Sequence, residues 1–413
     1  METAIFEVRL SSSRRRTYNN RMKIAVIGAS GAGLYLSLFL KKYHPDYEVV
    51  VFDKNKKLGR KLLATGNGHC NLLNMKTGPE HFNHPSYLES YLKGYPFGEL
   101  QHELATLGIV LTNEGDYLYP LSFSAAAHVN YLAETANNMS VQFRLETKVL
   151  DYVAKEEGVT LKTDQGNLSF DHVVFATGGK SQENLGSDGS LFDVFAKHGY
   201  EILPLKPGLC PIKTKENTKS LAGERHKAKV YVLLDDFIAR EEEGEVLFKK
   251  DGLSGIVIFN CSSYISHLGN AEGVKIIVDL FPSVNTTTLT TDLFDAMKLH
   301  PSYFLDAYLS PALRDYVLKE AELGPATKPD KVYCYKLAKA MKGLTFHFSG
   351  TYDFPDSQVT IGGISIRNID WNLRSTLEKH VSFAGEVLDV DGLCGGHNLT
   401  WCLVSSLVVS KSF

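Results

Sequence analysis

The chain has 413 residues, 44% of them hydrophobic and 22% charged, with a formal net charge of -3. That is enough for two or three domains with a sizeable core, and so mild a charge predicts neither a nucleic-acid nor a membrane partner. No run of eighteen apolar residues occurs, which argues against a membrane-spanning helix. The six cysteines form no C-x-x-C pair. This argues against a zinc ribbon or a dithiol redox motif and suits a reduced, cytoplasmic setting; no metal site is expected.

Residues 1–21 carry Arg9, Arg14, Arg15, Arg16 and Arg21 among serines and asparagines, without the apolar stretch of a secretory signal. They read as a disordered extension, and Met22 as a natural first residue. Lys23–Ile27 has the apolar pattern of a buried parallel strand. Gly31–Tyr43 reads as a helix and Glu48–Phe52 as a second strand, which completes a βαβ unit. A polar, glycine-rich loop follows over Lys57–Asn74, and residues 86–140 read as mainly helical. Val141–Arg144 and Thr147–Val153 read as strands, and Val159–Thr163 with Leu168–Phe170 as a hairpin. Asp171–Ala176 is another buried strand. Residues 205–285 alternate as short strands, among them Lys229–Leu234, Glu245–Lys249 and Val274–Leu280. Residues 286–343 read as helical. Strand character returns at Leu344–Phe348, Gln358–Ile361 and Val381–Ala384, and Leu399–Val409 reads as a closing helix.

The expected fold is therefore α/β: a discontinuous Rossmann-type domain over 22–204 and 350–413, with a β-rich plus helical domain inserted at 205–349.

Gly28-Ala29-Ser30-Gly31-Ala32-Gly33 joins the first strand to the first helix. A pyrophosphate needs a tight turn, close approach of backbone and helix N–H groups aimed at its charge. Gly28 suits the turn and Gly33 the helix–strand packing, while Ser30 stands where the fingerprint has its middle glycine. Asp53, at the end of the second strand, is placed to accept from ribose hydroxyls. Read alone, the turn is only a glycine-rich α/β connection and Asp53 a solvated acid; together they predict dinucleotide binding.

The run from Lys54 to Asn71 contains Arg60, Lys61, Gly66, Asn67, Gly68, His69 and Cys70. It resembles the signature of a family of bacterial NAD(P)/FAD-dependent flavoprotein oxidoreductases, aminoacetone-oxidase-like and bile-acid reductase-like, with a glutathione-reductase-type FAD fold and an inserted domain. His69 replaces the family's arginine, which removes a permanent charge. The resemblance continues through Thr177-Gly178-Gly179, Asp251–Gly255, Thr360–Ile364 and the closing run Gly385-Glu386 to Gly396-His397-Asn398-Leu399. It implies FAD as cofactor. Arg60 and Lys61 are then expected near the diphosphate, Val149 at the adenine and Glu386 at the ribityl chain. Gly396–Leu399 would bring a helix N-terminus to the flavin. Read alone, Arg60 and Lys61 are a solvated basic pair and Gly396–Leu399 a helix cap.

The resemblance names no substrate and no catalytic residue. His69 and His397 stand in flavin-proximal motifs, as acid/base groups or as positioning or packing groups. Cys70 and Cys394 are expected to be structural. No second glycine-rich βαβ unit occurs in 205–345, so a nicotinamide must meet the flavin without its own Rossmann site. The expected activity is oxidation–reduction of a small organic molecule with FAD, and NAD(P)H as a transient co-substrate. The alternatives are an oxygen-using oxidase of a small amine or carbonyl compound, a flavin-dependent RNA-modifying transferase and a non-catalytic flavin-binding protein.

Overall fold

Three short runs rich in Val, Ile and Phe set the centre of the structure. Lys23–Ile27, Glu48–Phe52 and His172–Phe175 are buried on both faces, as parallel strands covered by helices must be. The computed structural model describes residues 21–324 and 327–413; the expected extension over 1–21 lies, Arg21 apart, outside them. The sheet is parallel throughout, in the order Val381–Phe383, His172–Phe175, Lys23–Ile27, Glu48–Phe52, Gln142–Arg144. The helix Gly31–Tyr43 returns across it, and its Leu34, Leu36, Leu38 and Leu40 are all fully buried. Each such side chain contributes about 1.5–3 kcal/mol of burial energy. The closing helix His397–Lys411 packs on this first helix, with Ser406 Oγ donating to Ala32 O at 2.9 Å.

One apolar core gathers residues between 24 and 200 with those from 364 to 409, and a second gathers residues between 212 and 346. The second is organised by a closed six-stranded barrel. Its order is Ile212–Thr214, Gly252–Ser254, Phe237–Lys249, Arg225–Leu234, Lys275–Asp279, Leu344–Thr351, the last pairing back with the first. Helices Thr286–Leu299, Pro311–Glu320 and Lys331–Met341 cover it. An antiparallel ribbon of Ile202–Gly208 and Val359–Ile364 joins the two units.

Three sequence expectations need correction. The boundaries at 204/205 and 349/350 both fall inside strands: Ile202–Gly208, part of the ribbon that joins the units, and Leu344–Thr351, which belongs wholly to the barrel. Residues 86–140 are mainly helical, as expected, with one interruption. Between helices Phe97–Thr106 and Ala125–Asn138 lies a hairpin, Leu111–Glu114 with Tyr117–Pro120. The loop over 57–74 holds a short helix, Arg60–Leu63. Finally, the β-rich region 205–285 contains the helix Ile256–His267. Its IVIF start has strand propensity, but it packs between the barrel and the ribbon, and tertiary burial overrides that preference.

Candidate functional site

The Gly28–Gly33 turn is as tight as the fingerprint requires. A Cβ on Gly33 would stand 1.8 Å from the Gly28 carbonyl oxygen, so helix and strand meet backbone to backbone. The first-turn N–H groups of the helix have no intrahelical acceptor, and no acidic residue stands in that turn, which suits an anion. Asp53 closes the turn from the neighbouring strand: Oδ2 accepts from Ala29 N at 2.8 Å, and Oδ1 from the backbone and side-chain nitrogens of Asn55. Ser30 lends its hydroxyl to Leu62 N at 3.3 Å, so the residue in the middle-glycine position ties the turn to the next loop.

A cleft opens beside this turn. Gly28, Asp53, Lys54, Val149, Thr177, Gly178 and Gly179 all line it. Lys54 is paired across it with Asp188 at 2.5 Å. Seven residues scattered over 150 positions of sequence thus meet in one concavity with the shape and donors for an adenosine diphosphate moiety.

The remaining expected residues continue from the cleft toward the seam between the units. Lys61 Nζ pairs with Glu386 at 2.7 and 3.0 Å, and Glu386 also accepts from Thr360 N at 2.8 Å. Gly385 abuts Ala32, and Gly31 abuts Leu399 of the closing helix. Gly66 and Asn67 share left-handed backbone in an exposed loop, with Gly68 and His69 following. Asn71 touches Gly396 at the start of the closing helix. The residues present therefore fit an extended dinucleotide: an adenosine cleft, a helix N-terminus with a lysine beside it, then glycine-rich loops meeting a second helix N-terminus. Bound there, FAD would supply hydride transfer.

Two side chains do something other than the sequence suggests, and a third takes its packing reading. Arg60 is committed to protein, donating to Asn55 Oδ1 at 2.8 Å and Asn184 O at 2.6 Å, so it braces loops rather than presenting a free cation. The Asn398 carboxamide folds back on Gly392, accepting from its N–H and donating to its carbonyl, which leaves only its backbone to face a ligand. His397 is 3% exposed, stacked on His81 at 4.2 Å and bonded through Nδ1 to Thr77 Oγ1. Burial, then the His81 ring, holds its pKa down to about 3, so it is a neutral packing group rather than an acid. His69 is exposed, with Nδ1 donating to the Phe123 carbonyl at 2.8 Å. Burial pushes the Cys70 thiol up to about 12 and Cys394 up to about 11, as inert structural cysteines require.

Sequence reasoning missed a relay across the seam. Arg240 Nε donates to Glu242 at 2.8 Å, Asn260 Nδ2 donates to Glu242 Oε2 at 3.0 Å, and Cys394 N donates to Asn260 Oδ1 at 2.9 Å. An acceptor-only carboxylate fixes which way the Asn260 amide faces. Nearby, His267 Nε2 lies 3.1 Å from the buried Asp391. Helix Ile256–His267 of the inserted unit therefore holds the 391–394 turn at both ends. No local pattern announces these residues. Thr360, whose Oγ1 accepts from Lys180 N and Ser181 N, was signalled only by its place in the Thr360–Ile364 run.

The HI0933-like protein Rossmann domain family matches residues 22–412. A 3-dehydro-bile acid delta(4,6)-reductase of Clostridium scindens is 28% identical over 94% of this chain and 98% of its own length. A ribosomal RNA dihydrouridine synthase of Escherichia coli is 28% identical over 95% of this chain and 99% of its own. Among solved structures, a 3-ketosteroid delta1-dehydrogenase from Sterolibacterium denitrificans shares the fold, with a TM-score of 0.51 at 9% identity over 95% of this chain and 99% of that one. No described helix is long and apolar enough to cross a membrane. The chain belongs to the HI0933-like Rossmann family and is an FAD-dependent oxidoreductase.

Proposed function

We propose that the chain is a reductase that takes electrons from NAD(P)H through FAD and saturates a carbon–carbon double bond conjugated to a carbonyl in a small organic substrate. One observation carries the reaction type. Two relatives, each matched over nearly the whole chain, are named for the same bond change on unrelated molecules: a delta(4,6)-unsaturated 3-keto bile acid and the uracil ring of uridine. What they have in common is the reaction rather than the substrate. The cysteines of this chain favour direct electron entry, since all six are free thiols and none forms a dithiol pair. Residues 205–345 carry no second G-x-G-x-x-G fingerprint, which favours donor and substrate meeting the flavin in succession.

The second relative keeps RNA uridine as a second reading. The net charge of -3 favours the small molecule, because an RNA-binding surface draws most of its affinity from excess basic residues. Anaerobic mixing with NADH or NADPH should bleach the flavin absorbance, and a conjugated enone should restore it. No bleaching with either donor refutes the proposal. Recovery with uridine-containing RNA but not with enones moves the assignment to RNA. Recovery only with oxygen moves it to an oxidase.

A further inference from the structure

The strand Tyr117–Pro120 turns one face to the core and the other outward, toward Gly395 and Phe123. Leu118 is 3% exposed and faces inward, while Tyr117 and Tyr119, at alternate positions, share the half-buried outer face. Several buried tyrosines hold partners: Tyr35 meets His128, Tyr152 meets Glu378 and Tyr200 meets Ser375. Among the described residues, the hydroxyls of Tyr117 and Tyr119 have none.

Their position links the two loops expected at the flavin. The Tyr117 ring packs 3.1 Å from the Cβ position of Gly395, in the turn that opens the closing helix. Tyr119 stacks on Phe123, with ring centres 5.2 Å apart and planes 29° apart. The Phe123 carbonyl accepts from His69, in the other loop. An aromatic arc thus runs from Gly395 to His69, beside Cys394, which the Asn260 relay ties to the inserted unit.

We propose that Tyr117 and Tyr119 form the carbonyl-binding site of the substrate: the arc packs against a flat conjugated carbonyl compound, and the two phenol O–H groups donate to its oxygen. This rests on the reductase reading above. Two donors on that oxygen draw electron density from the carbon β to the carbonyl. When a hydride derived from NAD(P)H adds there with its electron pair, the π pair moves to oxygen, where the phenols stabilise it. A solvent proton on the α carbon then restores the carbonyl, and the net change is addition of two hydrogens across the double bond. Burial, with Asp116, Glu114 and the Cys394 side contributing, raises both phenols above their usual 10, so they remain protonated donors at neutral pH.

The test uses the holoenzyme and two variants that remove only the hydroxyls, Tyr117→Phe and Tyr119→Phe, alone and together. Cyclohex-2-en-1-one is titrated into the oxidised protein, and binding is read from the flavin visible spectrum. Each single variant should weaken binding about three- to tenfold, as loss of a neutral hydrogen bond does. The pair should lose more, and the enone-reduction rate should fall at least tenfold, while FAD content and melting temperature stay at wild-type values. A double variant that binds the enone within twofold of wild type overturns the proposal, as does one that loses its FAD. A wild type that NAD(P)H bleaches but whose spectrum the enone does not change also overturns it, and leaves the flavin reading standing. A wild type that neither donor bleaches defeats the reductase reading itself.

Discussion

Gly33→Ala and Gly31→Ala make the same chemical change two residues apart in one helical turn, and the structure predicts opposite outcomes. A Cβ on Gly33 would stand 1.8 Å from the Gly28 carbonyl oxygen, about 1.6 Å inside ordinary contact at 3.4 Å, and that oxygen belongs to backbone that cannot rotate away. The helix must retreat from the strand. Overpacking of this kind costs about 1–3 kcal/mol. Loss of a cofactor held at a hundredfold excess over its Kd removes about 2.7 kcal/mol more. The two together, about 4–6 kcal/mol, correspond to a fall of roughly 8–24 °C in the melting transition of the nucleotide unit. A Cβ on Gly31 would instead meet Leu399 Cδ2 at 3.4 Å and Cys402 Sγ at 3.6 Å, contacts the packing accepts. Alanine also costs less than glycine in a helix, by up to about 1 kcal/mol. Gly31→Ala should therefore melt within about 2 °C of wild type. The assay is thermal melting with and without added FAD, and flavin released per chain on denaturation. Stoichiometric FAD and a wild-type melting point in Gly33→Ala would refute the reasoning, because the turn would then have room the geometry denies it.

Other perturbations test the rest of the site. Lys61→Met keeps the aliphatic stem but leaves Glu386, 17% exposed, without its cation beside the expected diphosphate; FAD affinity should fall about tenfold, or about 1.4 kcal/mol, and fluorescence titration showing an unchanged Kd would defeat the placement. Asn260→Ala strands the Cys394 N–H and removes a bond to Glu242, costing about 2–4 kcal/mol; the flavin spectrum should shift although Asn260 lies on the other unit, and an unshifted spectrum with unchanged melting would break the link. For His267, burial lowers the pKa, but the bond to Asp391, with Asp389 behind it, more than offsets burial and Lys206, so the net direction is upward from 6.5. Its stabilising effect is then complete below pH 6.5 and lost as pH rises through the raised value, so the melting-point gap between wild type and His267→Gln should narrow from pH 6 to pH 9; a gap that widens would reverse the sign.

The nucleotide half was legible because its signals are local. A strand, a glycine turn and a helix occupy one short stretch, and the acid at the next strand's end bonds back to that turn through Ala29 N. The barrel was legible only as strands. Ile212–Thr214 pairs with Leu344–Thr351, more than 130 positions away, and no local pattern encodes that closure. The hairpin at Tyr117 was hidden for a related reason: two strands of four residues each, between two helices, are too short to outweigh the helical reading around them.

The site shows a different limit. Arg60, Asn398 and His397 have the residue types a flavin site uses, yet their side chains are taken up by Asn55 and Asn184, by Gly392, and by Thr77 and His81. Tyr117 and Tyr119 belong to no motif, yet their hydroxyls have no partner among the described residues, and the Tyr117 ring packs on the loop that opens the closing helix. What a group can do follows from its type, but whether it is free to do it depends on neighbours brought in from elsewhere in the chain. Asn398 and Gly392 are six positions apart, so their bond lies within reach of local reasoning. Asn260 and Cys394 are separated by 134, and theirs does not. The inserted unit therefore acts on the flavin loop through contacts that only the folded chain creates, and substitutions in the 240–267 region are where the substrate and the flavin should prove coupled.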